Sequence, residues 1–169
     1  MSGRHELTQA WPAPPLNVVL LEPEIPPKTG TIARLCAATG TRLHLAGPLG
    51  FRLTDSKLRR AGLDYWDGVD LSRHTDLAAC LAATGPGCVY YFSTRATVPY
   101  TRVAYGPGDS LVFGSETGGL PESVLAAAPG CVFGIPMRVE RVRSLNLATA
   151  VAIVLYEALR QIDRRSSPA

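Results

Sequence analysis

The chain is poor in lysine, poor in charge, and lacks the short motifs that announce the common enzyme classes. Lys28 and Lys57 are the only lysines among 17 basic residues, leaving fifteen arginines in 169 residues with a formal net charge of +3. That charge is too small to establish nucleic-acid binding by bulk electrostatics. Arginine's planar fork suits phosphate and base recognition. An arginine bias also follows from genomic base composition, so local clusters carry the argument. Charged residues make up 18%, against about 25% in an average soluble protein. The shortfall suggests apolar surface covered by something other than the chain itself, and self-association is the simplest cover.

Metal and membrane signatures are missing too. The four cysteines, Cys36, Cys80, Cys88 and Cys131, form no C-x-x-C pair, and His5, His44 and His74 are scattered along the sequence. No metal site is expected, and the thiols read as reduced in a cytoplasmic protein. The opening MSGRHELTQAWPAPP has no apolar h-region. The longest apolar stretch, around Ala148 to Tyr156, is too short to span a bilayer. No G-x-G-x-x-G follows the first strand-like run, which disfavours a dinucleotide-binding oxidoreductase. A P-loop, a G-x-S-x-G elbow and a Ser/His/Asp set are also lacking.

What the sequence does contain is enough apolar residue, 46%, to bury the core of one domain. Residues 16–21 read as a buried strand, 29–39 as a helix stopped by Gly40, and 42–46 as a second strand. A helix over 54–61, a helix from a Ser72 cap to about residue 83, and a strand over 88–92 follow. Leu111 to Phe113 reads as another strand, Pro121 as the first turn of a helix, and 131–135 as the last strand. A long helix is expected from a Ser144 cap to about Ile162. Strands alternating with helices at this spacing predict an α/β domain with a mostly parallel sheet flanked by helices. The last helix is apolar nearly all round, through Leu147, Ala148, Val151, Ala152, Val154, Leu155, Ala158 and Leu159. It reads either as a central core helix or as half core and half dimer interface.

Three segments hold unusual residues. Glu22 to Arg34 follows the first strand with prolines, acids and Lys28, and places Arg34 inside a helix, where it is either functional or an ordinary surface arginine. Phe113-Gly-Ser-Glu-Thr-Gly-Gly-Leu-Pro121 runs from a strand end to a helix start; its Gly114 and Gly119 permit close backbone approach to a ligand, and Glu116 sits at its centre. Ile135-Pro-Met137 leads to Arg138, Arg141 and Arg143, gathered before the last helix, where a helix N-terminus favours anions. A solvated loop with a serine cap is the alternative for that third segment.

In this order the segments resemble the SPOUT methyltransferase superfamily, and within it the short bacterial tRNA (cytidine/uridine) wobble-position 2′-O-methyltransferases. The resemblance covers about residues 16–162 and rests on LEPEIPP, RLCAATG, LRRAGLDYW, VFGSETGGLP, IPM and RSLNLATAVAIVLYEALRQ. It implies a SPOUT fold with a C-terminal deep trefoil knot, a homodimer, S-adenosyl-L-methionine as methyl donor, and tRNA as substrate. The domain plan it suggests is a flexible arm over 1–15, the methyltransferase domain over 16–162, and a tail over 163–169.

By position, the resemblance assigns cofactor contacts to Phe92, Gly114, Glu116, Gly119, Ile135, Met137, Ser144 and Leu145. Arg34, Ser144 and Asn146 become the catalytic candidates, and Lys28, Arg59, Arg60, Arg138, Arg141 and Arg143 the RNA-binding ones. Lys28 departs from the pattern, since the family usually has asparagine six positions before the motif arginine. Thr31 also stands where asparagine is common. Because a guanidinium is a poor base, Arg34 is expected to orient the nucleotide and polarise the ribose hydroxyl. Two other readings stay open: the same chemistry on ribosomal RNA, and a catalytically silent RNA-binding dimer.

Overall fold

The computed structural model describes residues 7–54, 56 and 67–166. Six strands form one sheet: β1 (Asn17–Leu21), β2 (Arg42–Ala46), β3 (Leu71–His74), β4 (Val89–Phe92), β5 (Ser110–Phe113) and β6 (Val132–Phe133). Their spatial order is β3-β2-β1-β5-β4-β6, and every pairing is parallel. Among the described residues four α-helices accompany them: α1 (Pro26–Thr39), α2 (Leu77–Ala83), α3 (Glu122–Ala126) and α4 (Leu147–Ser166). All five residues of β1 are buried, as a central parallel strand covered on both faces requires.

Alternation along the strands sorts the core into two halves. Val18, Leu20, Leu43, Leu45, Leu111 and Phe113 face α1, through Ile32, Ala33 and Cys36, and α4, through Val151, Val154, Leu155, Ala158, Leu159 and Ile162. On the other face Val19, Leu21, Ala46 and Val112 pack with Cys80 of α2 and with Leu120, Val124 and Leu125 around α3. Most of the apolar stripe of α4 is therefore consumed by the chain's own core. Val151, Val154 and Leu155, which suggested surplus width for an interface, are fully buried within one chain.

Several boundaries differ from the sequence reading. Gly40 does end α1, with φ +64° and its N–H on the Cys36 carbonyl. Ser72 is not a helix cap. It lies in the edge strand β3, and Asp76 caps α2 by accepting from the Ala79 N–H at 2.8 Å. Ser144 is not a cap either. The long helix begins at Leu147, and the Asn146 side chain accepts the Ala148 N–H at 2.9 Å. Asn and Ser are comparably good caps, so composition could not choose between positions two residues apart. The far end of α4 reaches Ser166, beyond the expected stop at Ile162. The last strand is only Val132–Phe133. Gly134 then pairs with residues 98–100, its N–H on the Val98 carbonyl and its carbonyl accepting from Tyr100. The helix read over 54–61 lies mostly outside the described residues.

Near the N-terminus the Ala10 N–H donates to Asp163 Oδ1 of α4 at 2.7 Å. Inside the sheet a polar chain runs from Asn17 through His44 to His74. Burial, with His74 as the next cause, pushes the His44 imidazole down to about 4.

Candidate functional site

The path of the chain places a crevice at one end of the sheet. From β1 the chain leads to β2 on one side, whereas from β5 it leads to β6 on the other. Open parallel sheets bind ligands at such switch points, beyond the carboxyl ends of the strands. Here the crevice opens into a cleft of about 540 Å³, walled by the loops after β4, β5 and β6 and by the start of α4. That volume suits a nucleotide-sized ligand, within the roughly 300–1,000 Å³ range of small-molecule sites.

Its floor is aromatic. Phe92 and Phe113 are in register on β4 and β5 and stack with ring centroids 4.9 Å apart at 18°. Both are buried, as is Leu120 beside them. The rim is polar: Ser93, Thr94 and Arg95 follow β4, Ser115 and Thr117 follow β5, and Arg143, Ser144 and Asn146 precede α4. Asn146 spends Oδ1 on its cap, which leaves its amide Nδ2 as a donor. Arg95 pairs with Glu122 at the start of α3, with both side chains exposed.

Gly114 is the tightest point. A Cβ there would lie 2.0 Å from the Gly119 carbonyl carbon and 2.2 Å from Leu120 N. The loop folds back on itself at this point, with the Gly119 N–H on the Ser115 carbonyl at 3.0 Å and Gly119 at φ +65°. Only glycine lets the two backbone segments touch. The result is a backbone-walled cradle that lines the cleft.

Glu116 does something the sequence did not announce. Its two carboxylate oxygens accept the N–H groups of Glu24 and Ile25, at 2.8 and 2.9 Å, where the chain enters α1. Glu24 answers by accepting from the Thr117 N–H at 3.2 Å and the Thr117 hydroxyl at 2.7 Å. This reciprocal clasp ties the loop after β1 to the loop after β5 across the crevice. Sequence reasoning missed Glu24; the signal was an acid following a strand whose neighbour carries another acid at the matching end.

All eight positions assigned to the cofactor, Phe92, Gly114, Glu116, Gly119, Ile135, Met137, Ser144 and Leu145, line the cleft. So do Asn146, Lys28 and Arg143. Ser93, Thr94 and Arg95 join them without having been singled out. Arg34 is exposed on α1 and is not part of the lining. Arg138 and Arg141 are exposed beside the cleft rather than in it. Arg59 and Arg60 lie outside the described residues.

An open parallel sheet with a backbone-walled cleft at its switch point defines a nucleotide-cofactor-binding α/β protein. The chain belongs to the SpoU rRNA methylase family, whose model matches residues 15–156. It is 51% identical over 148 residues to a tRNA (cytidine(34)-2′-O)-methyltransferase of Escherichia coli K12, covering 87% of this chain and 94% of that one. A solved structure concerned with 2′-OH methylation of C/U34 on tRNA superposes with a TM-score of 0.81 at 50% identity, covering 86% and 95% of the two chains. An AdoMet-bound rRNA methyltransferase from Sinorhizobium meliloti superposes with a TM-score of 0.76 at 28% identity, covering 86% of this chain and 56% of that one. The α/β sheet is thus that of the SPOUT methyltransferases. Among the described residues no helix is long and apolar enough to cross a membrane.

Proposed function

We propose that this protein is an S-adenosylmethionine-dependent methyltransferase that acts on the ribose 2′-hydroxyl of the wobble nucleotide, C34 or U34, of tRNA. The observation that carries the proposal is the cleft: the Gly114–Leu120 cradle lies on the aromatic pair Phe92–Phe113, in a chain half identical to C34 2′-O-methyltransferases over nearly its full length. The cradle fits the donor because it offers backbone groups and apolar walls, which bind a nucleoside without opposing charge.

The bound donor supplies an activated sulfonium methyl group; the chain's residues hold the reactants in line and handle one proton. Phe92, Ile135, Met137 and Leu145 would give the donor apolar contact, and the Gly114–Leu120 backbone would hold its nucleoside. Ser144 and the Asn146 amide position the incoming ribose or its phosphate. Such alignment is the larger part of catalysis when the leaving group is already activated. Arg34 donates hydrogen bonds to the reacting nucleotide and polarises its 2′-oxygen as the O–H proton is lost. Arg34 stands outside the lining of its own chain's cleft, so this role requires the reacting ribose to lie between α1 and the cleft mouth. Lys28, at the cleft edge, together with Arg138, Arg141 and Arg143, forms a phosphate-facing surface; the resemblance adds Arg59 and Arg60 as RNA contacts.

The reading extends to a domain over residues 16–162 carrying the trefoil knot, and to a cytoplasmic homodimer. Half-exposed Tyr156 on α4 supports the dimer. Methyl transfer from labelled cofactor to total tRNA, with ribosomal RNA in parallel, tests the function. Label confined to nucleotide 34 of tRNA is the expected outcome. Label in ribosomal RNA alone, or in neither, would overturn it.

A further inference from the structure

On the opposite side of the sheet from α1 and α4, three side chains far apart in sequence converge. His44 on β2, His74 at the end of β3 and Cys80 in α2 place one ligand-type atom each within 4.8 Å of one another. Residue alternation puts His44 on the same face as Ala46, which packs with Cys80. His44 and Cys80 are buried, and His74 is partly buried.

The hydrogen-bond chain settles which nitrogen of His44 points at the cluster. Asn17 Nδ2 donates to the carbonyls of Thr84 and Gly108, at 3.3 and 3.1 Å, so Asn17 Oδ1 is an acceptor. His44 Nε2, 3.1 Å from that oxygen, therefore carries the proton. Its Nδ1 lone pair then faces His74 Nε2 at 3.0 Å and accepts from it. A histidine whose far N–H is held by a fixed amide oxygen, with its other nitrogen bare and aimed at a second histidine and a thiol, has the arrangement of a metal ligand and its support.

We propose that His44 Nδ1, His74 Nε2 and Cys80 Sγ bind one divalent transition-metal ion of the zinc class. Two imidazoles and a thiolate are a borderline-soft set that favours zinc, cobalt or nickel over magnesium or calcium. The geometry is close: tetrahedral zinc with Zn–N of about 2.05 Å needs its nitrogens about 3.3 Å apart. The histidine pair opens by a few tenths of an ångström, and the Cys80 thiol turns inward. On binding, the thiol proton leaves to solvent and the His74 proton moves from Nε2 to Nδ1, so one proton is released per ion. The fourth position lies toward His74, the least buried of the three ligands. Such an ion would pin the edge strand β3 to α2, and the inference is independent of the methyl-transfer reading.

Untagged, chelator-stripped protein titrated with Co²⁺ tests this. One equivalent should bind with a near-ultraviolet thiolate-to-cobalt charge-transfer band, and Zn²⁺ should displace it. Cys80→Ser should lose the band. His74→Gln retains an N–H donor toward His44 but removes a ligand, and should weaken Co²⁺ binding at least tenfold. Cys88→Ser, at an exposed thiol, should leave the band unchanged. If Cys80→Ser does not fold, His74→Gln and Cys88→Ser decide the question. No saturable band in the wild type, a band that survives Cys80→Ser, unaltered affinity in His74→Gln, or loss of the band in Cys88→Ser would overturn the site.

Discussion

Adding one methyl group at Gly114 tests the cradle most directly. In Gly114→Ala the new Cβ would lie 2.0 Å from a backbone carbon and 2.2 Å from the Gly119 carbonyl oxygen. Ordinary carbon contacts are about 3.5 Å or more, so one backbone segment has to move by more than 1 Å. No flexible side-chain tip is there to yield. Overpacking of this kind costs about 1–3 kcal/mol, and prising Gly119 N–H from the Ser115 carbonyl adds about 1 kcal/mol. The total is about 2–4 kcal/mol. If β5 carries that cost, the melting temperature falls by about 4–16 °C, at 2–4 °C per kcal/mol for a domain of this size. If the loop carries it, the fold melts almost normally and S-adenosylmethionine binding weakens by about 30- to 1,000-fold. Two neighbours serve as controls. Gly118→Ala meets only the Ser115 hydroxyl at 3.2 Å, and relieving that contact costs at most the hydrogen bond this hydroxyl accepts from the Gly118 N–H, about 1 kcal/mol. Gly119→Ala meets nothing within 4 Å but holds φ +65°, a cost of about 1–2 kcal/mol. Calorimetric titration and thermal melts of the three variants should rank Gly114→Ala as the most damaged. A Gly114→Ala protein that both melts and binds cofactor like wild type would refute the cradle.

Other outcomes follow from the same geometry. Glu116→Gln can accept only one of the two N–H groups now held, so it should lose about 1–3 kcal/mol, seen as a melting temperature lowered by about 2–12 °C; an unchanged melt would mean that the clasp carries no stability. Arg34→Ala should reduce single-turnover methylation at saturating tRNA by about 10²-fold with cofactor affinity unaltered, and a wild-type rate would make Arg34 a binding residue only. Replacing Arg138 and Arg141 together should weaken tRNA binding and flatten its salt dependence by about one slope unit for each phosphate no longer neutralised, read from titrations at two salt concentrations. Burial pushes the Cys36 thiol up to about 12, so the native state keeps a proton that the unfolded chain loses above its ordinary value of 9.0; stability should decline as pH rises from there, measured by urea midpoints in alkaline buffers. Light scattering should give twice 18.0 kDa, and Tyr156→Glu should shift the population toward monomer.

The clasp explains how two loops with no sequence relation can act as one site. Glu24 and Glu116 each satisfy N–H groups of the other's loop, which couples the entry to the Arg34 helix to the glycine-rich loop after β5. Charge-assisted bonds of this type are stronger than neutral ones. Displacement of either loop therefore breaks hydrogen bonds held by the other.

Local chemistry was legible in the sequence wherever a residue's effect stays within a few positions. The apolar run of β1, the helix stop at Gly40, the strand at Arg42–Ala46 and the glycine-rich loop after β5 all follow from near neighbours. The positions that the resemblance assigned to the cofactor also converge on one cleft, because parallel strands deliver their C-terminal loops to the same edge. Everything that depends on which strand lies beside which was decided only by the tertiary structure. The polar edge strand β3 has no apolar alternation to reveal it and exists because β2 offers it a partner. Asn146 rather than Ser144 became the cap because packing of α4 against α1 and β5 sets where its first turn starts. The wide stripe of α4 suggested a surface for a partner, yet the sheet and α1 together bury Val151, Val154 and Leu155. Glu116 lines the cleft and also anchors backbone N–H groups that lie 91 and 92 residues away in the chain, a role no local pattern could reveal. His44, His74 and Cys80, ordinary at their separations in the sequence, meet for the same reason. A parallel sheet brings distant strands to adjacent positions, and periodicity within a strand carries no record of its neighbour.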